Sequence, residues 1–140
     1  MDVLVTGGSG TAGREVVRAL RAAGHRAIVL SRREGSGPDW RRGNLATGEG
    51  LPAAVAGVVA IVHAGSATVD LRRGRATDVE GTRRLLVAAA AAGVDHLLYV
   101  SIVGMEGVAY PYYRAKLAAE AIVKEGMVPG RSFAPLSSTP

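Results

Sequence analysis

Four glycines fall within seven residues near the start of the chain, in the stretch VTGGSGTAG at 5–13. Two spacings coexist there, Gly8-x-Gly10-x-x-Gly13 and Gly7-x-x-Gly10-x-x-Gly13. Glycines spaced in this way make a tight turn, let the backbone approach a phosphate and let a helix pack close to a strand. The pattern therefore predicts that a pyrophosphate binds to backbone N–H groups at a helix N-terminus, whereas a purely structural glycine turn is the alternative.

Two arginines follow the second predicted strand. Arg32 and Arg33 stand where a site for NAD(H) ordinarily places an acidic residue against the adenosine ribose, and Glu34 comes only after them. A guanidinium group can pair with a ribose 2′-phosphate, so the sequence favours NADP(H) over NAD(H). The alternative is that both arginines are simply solvated. Asn44 and Leu45 follow at the expected end of the third strand, near the adenine.

A tyrosine and a lysine form a second chemical pattern. Tyr112 and Lys116 are four residues apart, so they share one face of a predicted helix. A nearby ammonium lowers the pKa of a phenol, which makes tyrosine usable as a general acid or base in carbonyl reduction. Ser101, at the end of the preceding predicted strand, is placed to orient a substrate oxygen. Such a pair is common by itself, and its meaning depends on the dinucleotide pattern before it.

Strands and helices alternate along the elements that must position these residues. Apolar runs predict strands at 2–6, 26–31, 42–45, 58–64 and 96–102, and helical periodicity predicts helices at 11–23, 51–57, 77–92 and 111–124. This alternation indicates a parallel sheet with right-handed crossovers, which is a doubly wound α/β fold of about five strands. At 140 residues the chain is expected to form one domain.

The composition excludes several classes of protein. No run of about 18 apolar residues is present, so we expect no membrane span. The chain has no cysteine, which excludes disulfides and thiolate metal sites, and no metal site is predicted. Almost all of its 17 basic residues are arginines without interleaved aromatics, so nucleic-acid binding is not expected despite the net charge of +5. A strand begins by residue 3 without a signal-like segment, which favours a cytoplasmic protein.

Five segments of the chain together resemble the atypical short-chain dehydrogenase/reductases, the NmrA-like and NAD-dependent epimerase-like proteins: LVTGGSGTAGREVV, VLSRR, VHAGSA, DVEGTRRLLVAAAAAGVDHLLYVSIVG and YPYYRAKLAAE. The resemblance covers residues 1 to 128 almost continuously. It implies a Rossmann-like NAD(P)-binding domain over this range, a dinucleotide cofactor and a small-molecule substrate that the sequence does not identify.

The resemblance also implies individual site residues. The cofactor contacts are expected at Gly7, Gly10, Thr11, Ala12, Gly13, Arg32, Arg33, Asn44, Leu45, Ala64, Gly65, Ser66 and Lys116. The catalytic residues are expected to be Tyr112, Lys116 and Ser101. Where the family usually carries an aspartate this chain has Asn44, whose carbonyl oxygen can still accept a hydrogen bond from the adenine amino group.

Residues 129–140 depart from the family pattern. The stretch GRSFAPLSSTP at 130–140 is polar, rich in proline and without strand periodicity, whereas family members continue with a sixth strand, often a seventh, and a substrate-binding lobe. We expect an irregular tail here and hypothesise that it is out of frame on a truncated chain. Without a sixth strand, HLLYVSI at 96–102 becomes an exposed edge through which the chain is expected to self-associate.

Three functions stay open at this point. The first is a working NADPH-dependent reductase, and the second is a non-catalytic NADP(H)-binding redox sensor or regulator of NmrA-like type. The third is a truncated remnant that retains at most a cofactor half-site. We take the NAD(P)-binding, reductase-like domain as the function, with at most trace turnover expected from a truncated chain.

Overall fold

The computed structural model of the 140-residue chain describes residues 1–8, 11–33, 35, 37–64, 79–100, 121 and 130–133. For Thr11 and for residues 130–133 the description covers the backbone.

A six-stranded parallel sheet lies at the centre of the fold, with the strand order β3-β2-β1-β4-β5-β6. Its strands are β1 Asp2–Thr6, β2 Arg26–Ser31, β3 Trp40–Arg42, β4 Ala60–His63, β5 His96–Val100 and β6 Gly130–Phe133. The order reverses direction between β1 and β4, and such a reversal opens a crevice at the carboxyl ends of the strands where ligands bind. The predicted doubly wound, Rossmann-like α/β fold is confirmed.

Alternate residues of the central strands face opposite sides of the sheet, and both sides are covered. The helices bounded within the described residues are α1 Thr11–Ala22, α2 Leu51–Val55 and α3 Gly81–Ala91. The helix predicted at 111–124 lies outside the described residues except at position 121. Val3 and Val5 pack in a cluster with Val17 of α1, whereas Leu4 packs in a second cluster with Leu85 of α3. Burial on both faces explains why the middle of β1 has three consecutive apolar residues, Val3, Leu4 and Val5, rather than an alternation with polar ones. Within the described ranges, no helix has the length and apolar character needed to cross a bilayer.

An arginine network sets the start of β3. Arg26 donates a hydrogen bond to Asp39 Oδ1 at 2.8 Å and another to the carbonyl oxygen of Pro38 at 2.8 Å. The hydrogen bond to Asp39 is the main interaction that raises the pKa of the Arg26 guanidinium, so this group stays charged. Because Asp39 is held against β2, the strand begins at Trp40, two residues before the predicted range of 42–45.

The expectations about the end of the chain are wrong in two respects. Gly130–Phe133 form β6, which pairs in parallel with β5 so that Leu97 lies opposite Gly130. The sheet therefore has six strands rather than about five, and the stretch from 129 is not irregular throughout. β5 lies between β4 and β6, so it is not the exposed edge that the predicted self-association required. A strand pairs through its backbone N–H and C=O groups, and apolar side chains are not required for this pairing. The polar GRSF stretch therefore shows no hydrophobic pattern from which a strand could be predicted.

Candidate functional site

The glycine turn joins the carboxyl end of β1 to the start of α1. Gly7 has a φ of +70°, a conformation that side chains with a Cβ rarely adopt. A Cβ at Gly13 would lie 1.8 Å from the carbonyl oxygen of Gly7 and 2.7 Å from the Cα of Gly8. Only glycine at position 13 therefore allows the first turn of α1 to lie directly against the backbone that follows β1.

The N-terminus of α1 presents backbone N–H groups at this edge of the sheet. The helix begins at Thr11 and has no acidic residue in its first turn, so no side-chain carboxylate of that turn competes for the positive end of the helix dipole. The first N–H groups of a helix have no partner within the helix, and an anion can accept hydrogen bonds from them. This geometry suits a phosphate group placed over the glycine turn.

A buried histidine connects the end of β1 with the start of α3. His63 is fully buried, with Nδ1 2.6 Å from Thr6 Oγ1 and Nε2 2.8 Å from Thr82 Oγ1. The N–H of Ala64 also donates to Thr6 Oγ1 at 2.9 Å, and the ring of Tyr99 lies with its centroid 5.3 Å from that of His63. A neutral imidazole donates through one nitrogen and accepts through the other, so the two hydroxyls satisfy both ring nitrogens. The network fixes the carboxyl ends of β1 and β4 relative to each other.

A tight loop follows β3 on the side where the adenine is expected. Asn44 Oδ1 accepts a hydrogen bond from the N–H of Ala46 at 2.9 Å, and the N–H of Gly48 donates to the carbonyl oxygen of Asn44 at 2.7 Å. Arg84 of α3 donates to the carbonyl oxygen of Ala46 at 2.6 Å. Leu45 is buried between these contacts. The loop is therefore held by the Asn44 side chain from within and by Arg84 from α3, the helix between β4 and β5.

The two arginines after β2 differ from most of the other arginines. Arg32 and Arg33 are exposed, and their side chains make no hydrogen bond or ion pair with any described residue. Other arginines are paired or bonded: Arg18 with Glu15, Arg26 with Asp39, Arg83 with Glu80, and Arg41 with the carbonyl oxygens of Ala54 and Ala56. The guanidinium groups at the end of β2 are thus available to an anionic ligand.

The described site candidates all follow the carboxyl ends of four neighbouring strands. Gly7 follows β1, Arg32 follows β2, Asn44 follows β3 and Ala64 follows β4. Because the strands are parallel, these four positions lie along one edge of the sheet. Six candidates lie outside the described residues: Gly10, Gly65, Ser66, Ser101, Tyr112 and Lys116. Where the structure describes the chain, no group of three His, Asp or Glu side chains comes together in a way that could hold a metal ion.

The sequence patterns did not identify the residues that hold the site candidates in place through hydrogen bonds from other elements. His63 and Thr82 are 19 positions apart, and Arg84 and Ala46 are 38 positions apart. His63 is the last residue of an otherwise apolar strand and directly precedes the expected cofactor contacts from Ala64 to Ser66, which is the signal that could have marked it. No sequence spacing identified Thr82 as the partner of His63, or Arg84 as the partner of Ala46, because these contacts form through the tertiary fold.

Comparisons with known proteins agree with this geometry. An NAD(P)H-binding family matches residues 7–128. A crystal structure of a short-chain dehydrogenase/reductase superfamily protein from Agrobacterium tumefaciens with bound NAD is 34% identical, with a TM-score of 0.79 over 94% of this chain and 48% of that chain. Ceramide reductase from Caulobacter vibrioides is 33% identical over 87% of this chain and 41% of that protein. Photosystem II assembly factor Ycf39 from Trieres chinensis is 28% identical over 95% of this chain and 44% of that protein.

The parallel sheet, the glycine turn and the helix N-terminus define a Rossmann-like dinucleotide-binding domain. The chain belongs to the NAD(P)H-binding family, and its relatives are short-chain dehydrogenase/reductase-like proteins, as the sequence predicted. The chain spans less than half the length of these relatives.

Replacing Gly13 by alanine should weaken dinucleotide binding. The new Cβ would overlap the carbonyl oxygen of Gly7, so α1 must move away from the glycine turn. We expect the Kd for NADPH, measured by the fluorescence of the bound nicotinamide, to rise at least about tenfold, together with a stability loss of about 1–3 kcal/mol.

The matched control is Gly24→Ala at the other end of α1. Gly24 has a φ of +85°, and no atom lies within 4 Å of the position that a Cβ would take, so alanine there costs about 1 kcal/mol through backbone strain. The control should leave the Kd for NADPH within about twofold of its original value, because the φ strain lies away from the glycine turn. Equal binding by Gly13→Ala and the original chain would show that the close contact is not required.

Replacing His63 by leucine should destabilise the fold through its two hydroxyl partners. The change removes the 2.6 Å contact to Thr6 and the 2.8 Å contact to Thr82, and we expect the free energy of unfolding in urea to fall by about 2–4 kcal/mol. Thr82→Val should cost about 1 kcal/mol in the original chain and less in the His63→Leu chain, since the contact between Thr82 and His63 is already absent there. Full additivity of the two changes would contradict the proposed coupling.

Proposed function

We propose that the chain is the NADP(H)-binding domain of an atypical short-chain reductase. The observation that carries the preference for NADP(H) is the pair Arg32 and Arg33, exposed after β2 and without a side-chain partner among the described residues. In this fold the adenosine ribose binds at the end of the second strand, where a guanidinium pairs with a 2′-phosphate and a carboxylate pairs with a free 2′-hydroxyl. A cytoplasmic location and a small-molecule substrate of unknown identity belong to the same proposal.

The pyrophosphate and the nicotinamide half of the cofactor are assigned to the turn and to the end of β4. The proposed contacts are Gly7, Gly10, Thr11, Ala12 and Gly13 for the pyrophosphate, Ala64, Gly65 and Ser66 beyond β4, and Lys116 for the ribose next to the nicotinamide. The close packing at Gly13 supports this assignment, because it brings the backbone of the turn and the first N–H groups of α1 to the same edge.

The loop after β3 fits the adenine ring. Asn44 Oδ1 uses one lone pair for the N–H of Ala46, and its second lone pair is able to accept from the adenine amino group. The N–H of Leu45 makes no hydrogen bond to any described residue, which leaves a backbone donor beside a buried apolar side chain. A backbone N–H donor at Leu45 next to an amide oxygen acceptor at Asn44 complements the edge of a purine.

Carbonyl reduction is the reaction proposed for the complete site. When bound, the nicotinamide would supply the hydride. Tyr112 is assigned as the general acid that would give a proton to the substrate oxygen. The Lys116 ammonium is assigned to assist Tyr112, and Ser101 to orient the substrate oxygen. These three residues lie outside the described part of the chain, so their roles rest on the Tyr-x-x-x-Lys spacing and on the family.

A regulatory function is the alternative that the relatives support. They include ceramide reductase and 2-alkyl-3-oxoalkanoate reductase, but also several photosystem II assembly factors, whose name specifies assembly rather than a reaction. A domain of this kind would bind NADP(H) as a redox sensor or regulator without turning it over. The two candidates share the cofactor site and differ in whether Tyr112 acts on a substrate.

Reversing the charge after β2 should reverse the cofactor preference. We expect NADPH to bind about tenfold or more tightly than NADH, because a charge-assisted hydrogen bond to the 2′-phosphate adds to the affinity. Arg32→Asp should erase or invert this ratio, since a carboxylate repels the phosphate and can accept from a free 2′-hydroxyl. Isothermal titration with both cofactors measures the two Kd values.

Arg18→Asp is the matched control for that charge change. Arg18 is an exposed residue of α1 that pairs with Glu15, and its replacement changes the net charge by the same amount. The ratio of the Kd for NADH to the Kd for NADPH should be the same in Arg18→Asp as in the original chain. A chain that prefers NADH, or an Arg32→Asp variant with an unchanged ratio, would refute the assignment of NADP(H).

Replacing Tyr112 by phenylalanine separates the two functions. If the chain is a reductase, the loss of the phenol should lower NADPH oxidation with simple aldehydes or quinones about 10²- to 10⁴-fold, while the Kd for NADPH stays within about twofold. Tyr113→Phe, one residue further along, is the matched control and should keep the rate of NADPH oxidation of the original chain. Tight NADPH binding without any substrate-dependent loss of absorbance in the original chain would favour the regulatory alternative.

A further inference from the structure

The single tryptophan of the chain lies behind the two arginines. Trp40 is the first residue of β3, where it pairs with Val29 of β2, and its half-buried ring packs against the apolar cluster on the α1 side of the sheet. Its indole Nε1–H donates a hydrogen bond to the carbonyl oxygen of Arg33 at 2.9 Å. A rigid ring anchored in the sheet is thus bonded to the backbone of one of the arginines.

The loop passes directly over the indole ring two residues later. A Cβ at Gly35 would lie 2.2 Å from Cδ2 and 2.3 Å from Cε2 of Trp40, so only glycine allows this approach. On the other side of the arginines, the N–H of Arg33 donates to Ser31 Oγ at 3.2 Å. The backbone that carries Arg32 and Arg33 is therefore held at Ser31, at the Arg33 carbonyl and at Gly35.

We propose that Trp40 is a positioning residue for recognition of a 2′-phosphate. Trp40 would act by holding the backbone of Arg32 and Arg33, without itself contacting the phosphate. This proposal rests on the NADP(H) preference proposed above. A long exposed side chain loses conformational freedom when it binds an anion, and a backbone that is fixed beforehand reduces what remains to be ordered. The same contact has no consequence for NADH, which lacks the 2′-phosphate.

The test measures how Trp40→Phe changes the discrimination between the two cofactors. Phenylalanine keeps an aromatic ring over Gly35 and removes the N–H that bonds Arg33. We expect the Kd for NADPH to rise about fivefold and the Kd for NADH to change by less than about twofold, as for the loss of one hydrogen bond that matters for one ligand only. Val58→Ala, a core change at the amino end of β4, is the control for general destabilisation and should leave the ratio of Kd values unchanged.

A double-mutant cycle shows whether Trp40 acts through the arginines. In a chain that carries Arg32→Ala and Arg33→Ala, the further change Trp40→Phe should have no effect on the ratio, because the groups that it positions are absent. An effect of equal size in both backgrounds would overturn the proposal. If the original chain does not bind NADPH more tightly than NADH, both the proposed cofactor preference and the role of Trp40 are refuted. If the preference exists and depends on the arginines but survives Trp40→Phe, only the role of Trp40 is refuted.

The original chain offers a second readout that needs no variant at Trp40. Adenosine 2′,5′-bisphosphate and adenosine 5′-phosphate lack the nicotinamide, so neither quenches tryptophan by energy transfer to that ring. We expect the bisphosphate at saturation to shift the fluorescence emission of Trp40 clearly more than the monophosphate does. Equal emission with both nucleotides would contradict a link between the indole and the 2′-phosphate.

Discussion

The contact between Gly13 and the carbonyl of Gly7 is the constraint on which the rest of the site depends. A Cβ at position 13 would lie 1.8 Å from that oxygen, so α1 can approach the end of β1 only because the side chain is absent. This approach puts the N-terminal N–H groups of α1 beside the point where the strand order reverses between β1 and β4. Two independent sources of anion binding, the crevice of the parallel sheet and the helix terminus, therefore coincide at one place.

Behind the turn, the buried His63 provides a specific connection that apolar packing would not. A buried imidazole without partners would be costly, whereas here both ring nitrogens lie within 2.8 Å of a hydroxyl oxygen. Because the hydrogen bonds are directional, they fix Thr6, which precedes the glycines, relative to Thr82 at the start of α3. The strand ends that must face one cofactor are thereby held in a single arrangement, and a purely apolar residue at position 63 would leave their relative placement less defined.

Local patterns predicted β1, α1 and β2, because each combines an apolar run or stripe with a glycine at its boundary, as at Gly7 and Gly24. Elements that depend on distant partners were predicted less well. β3 begins at Trp40 because Arg26 holds Asp39, a contact across 13 positions, and β6 forms from a polar stretch through backbone pairing with β5. The sequence named candidate site residues after each of the four strands, and whether they bind the cofactor stays a prediction. It did not name His63, Arg84 or Trp40, since their contacts exist only after the sheet has formed.

The described arginines differ in what their guanidinium groups bind. Arg41 donates to the carbonyl oxygens of Ala54 and Ala56 at the end of α2, and Arg84 donates to that of Ala46 in the loop after β3. These two arginines therefore stabilise the end of a helix and a loop. The guanidinium groups of Arg41 and Arg84 are thus occupied by backbone oxygens of the fold. Arg32 and Arg33 lack such partners in the described part of the chain, and leaving them solvated costs little at an exposed position. Their charge can therefore be used in full when one localised phosphate arrives at the end of β2, which suits the recognition of a single nucleotide group.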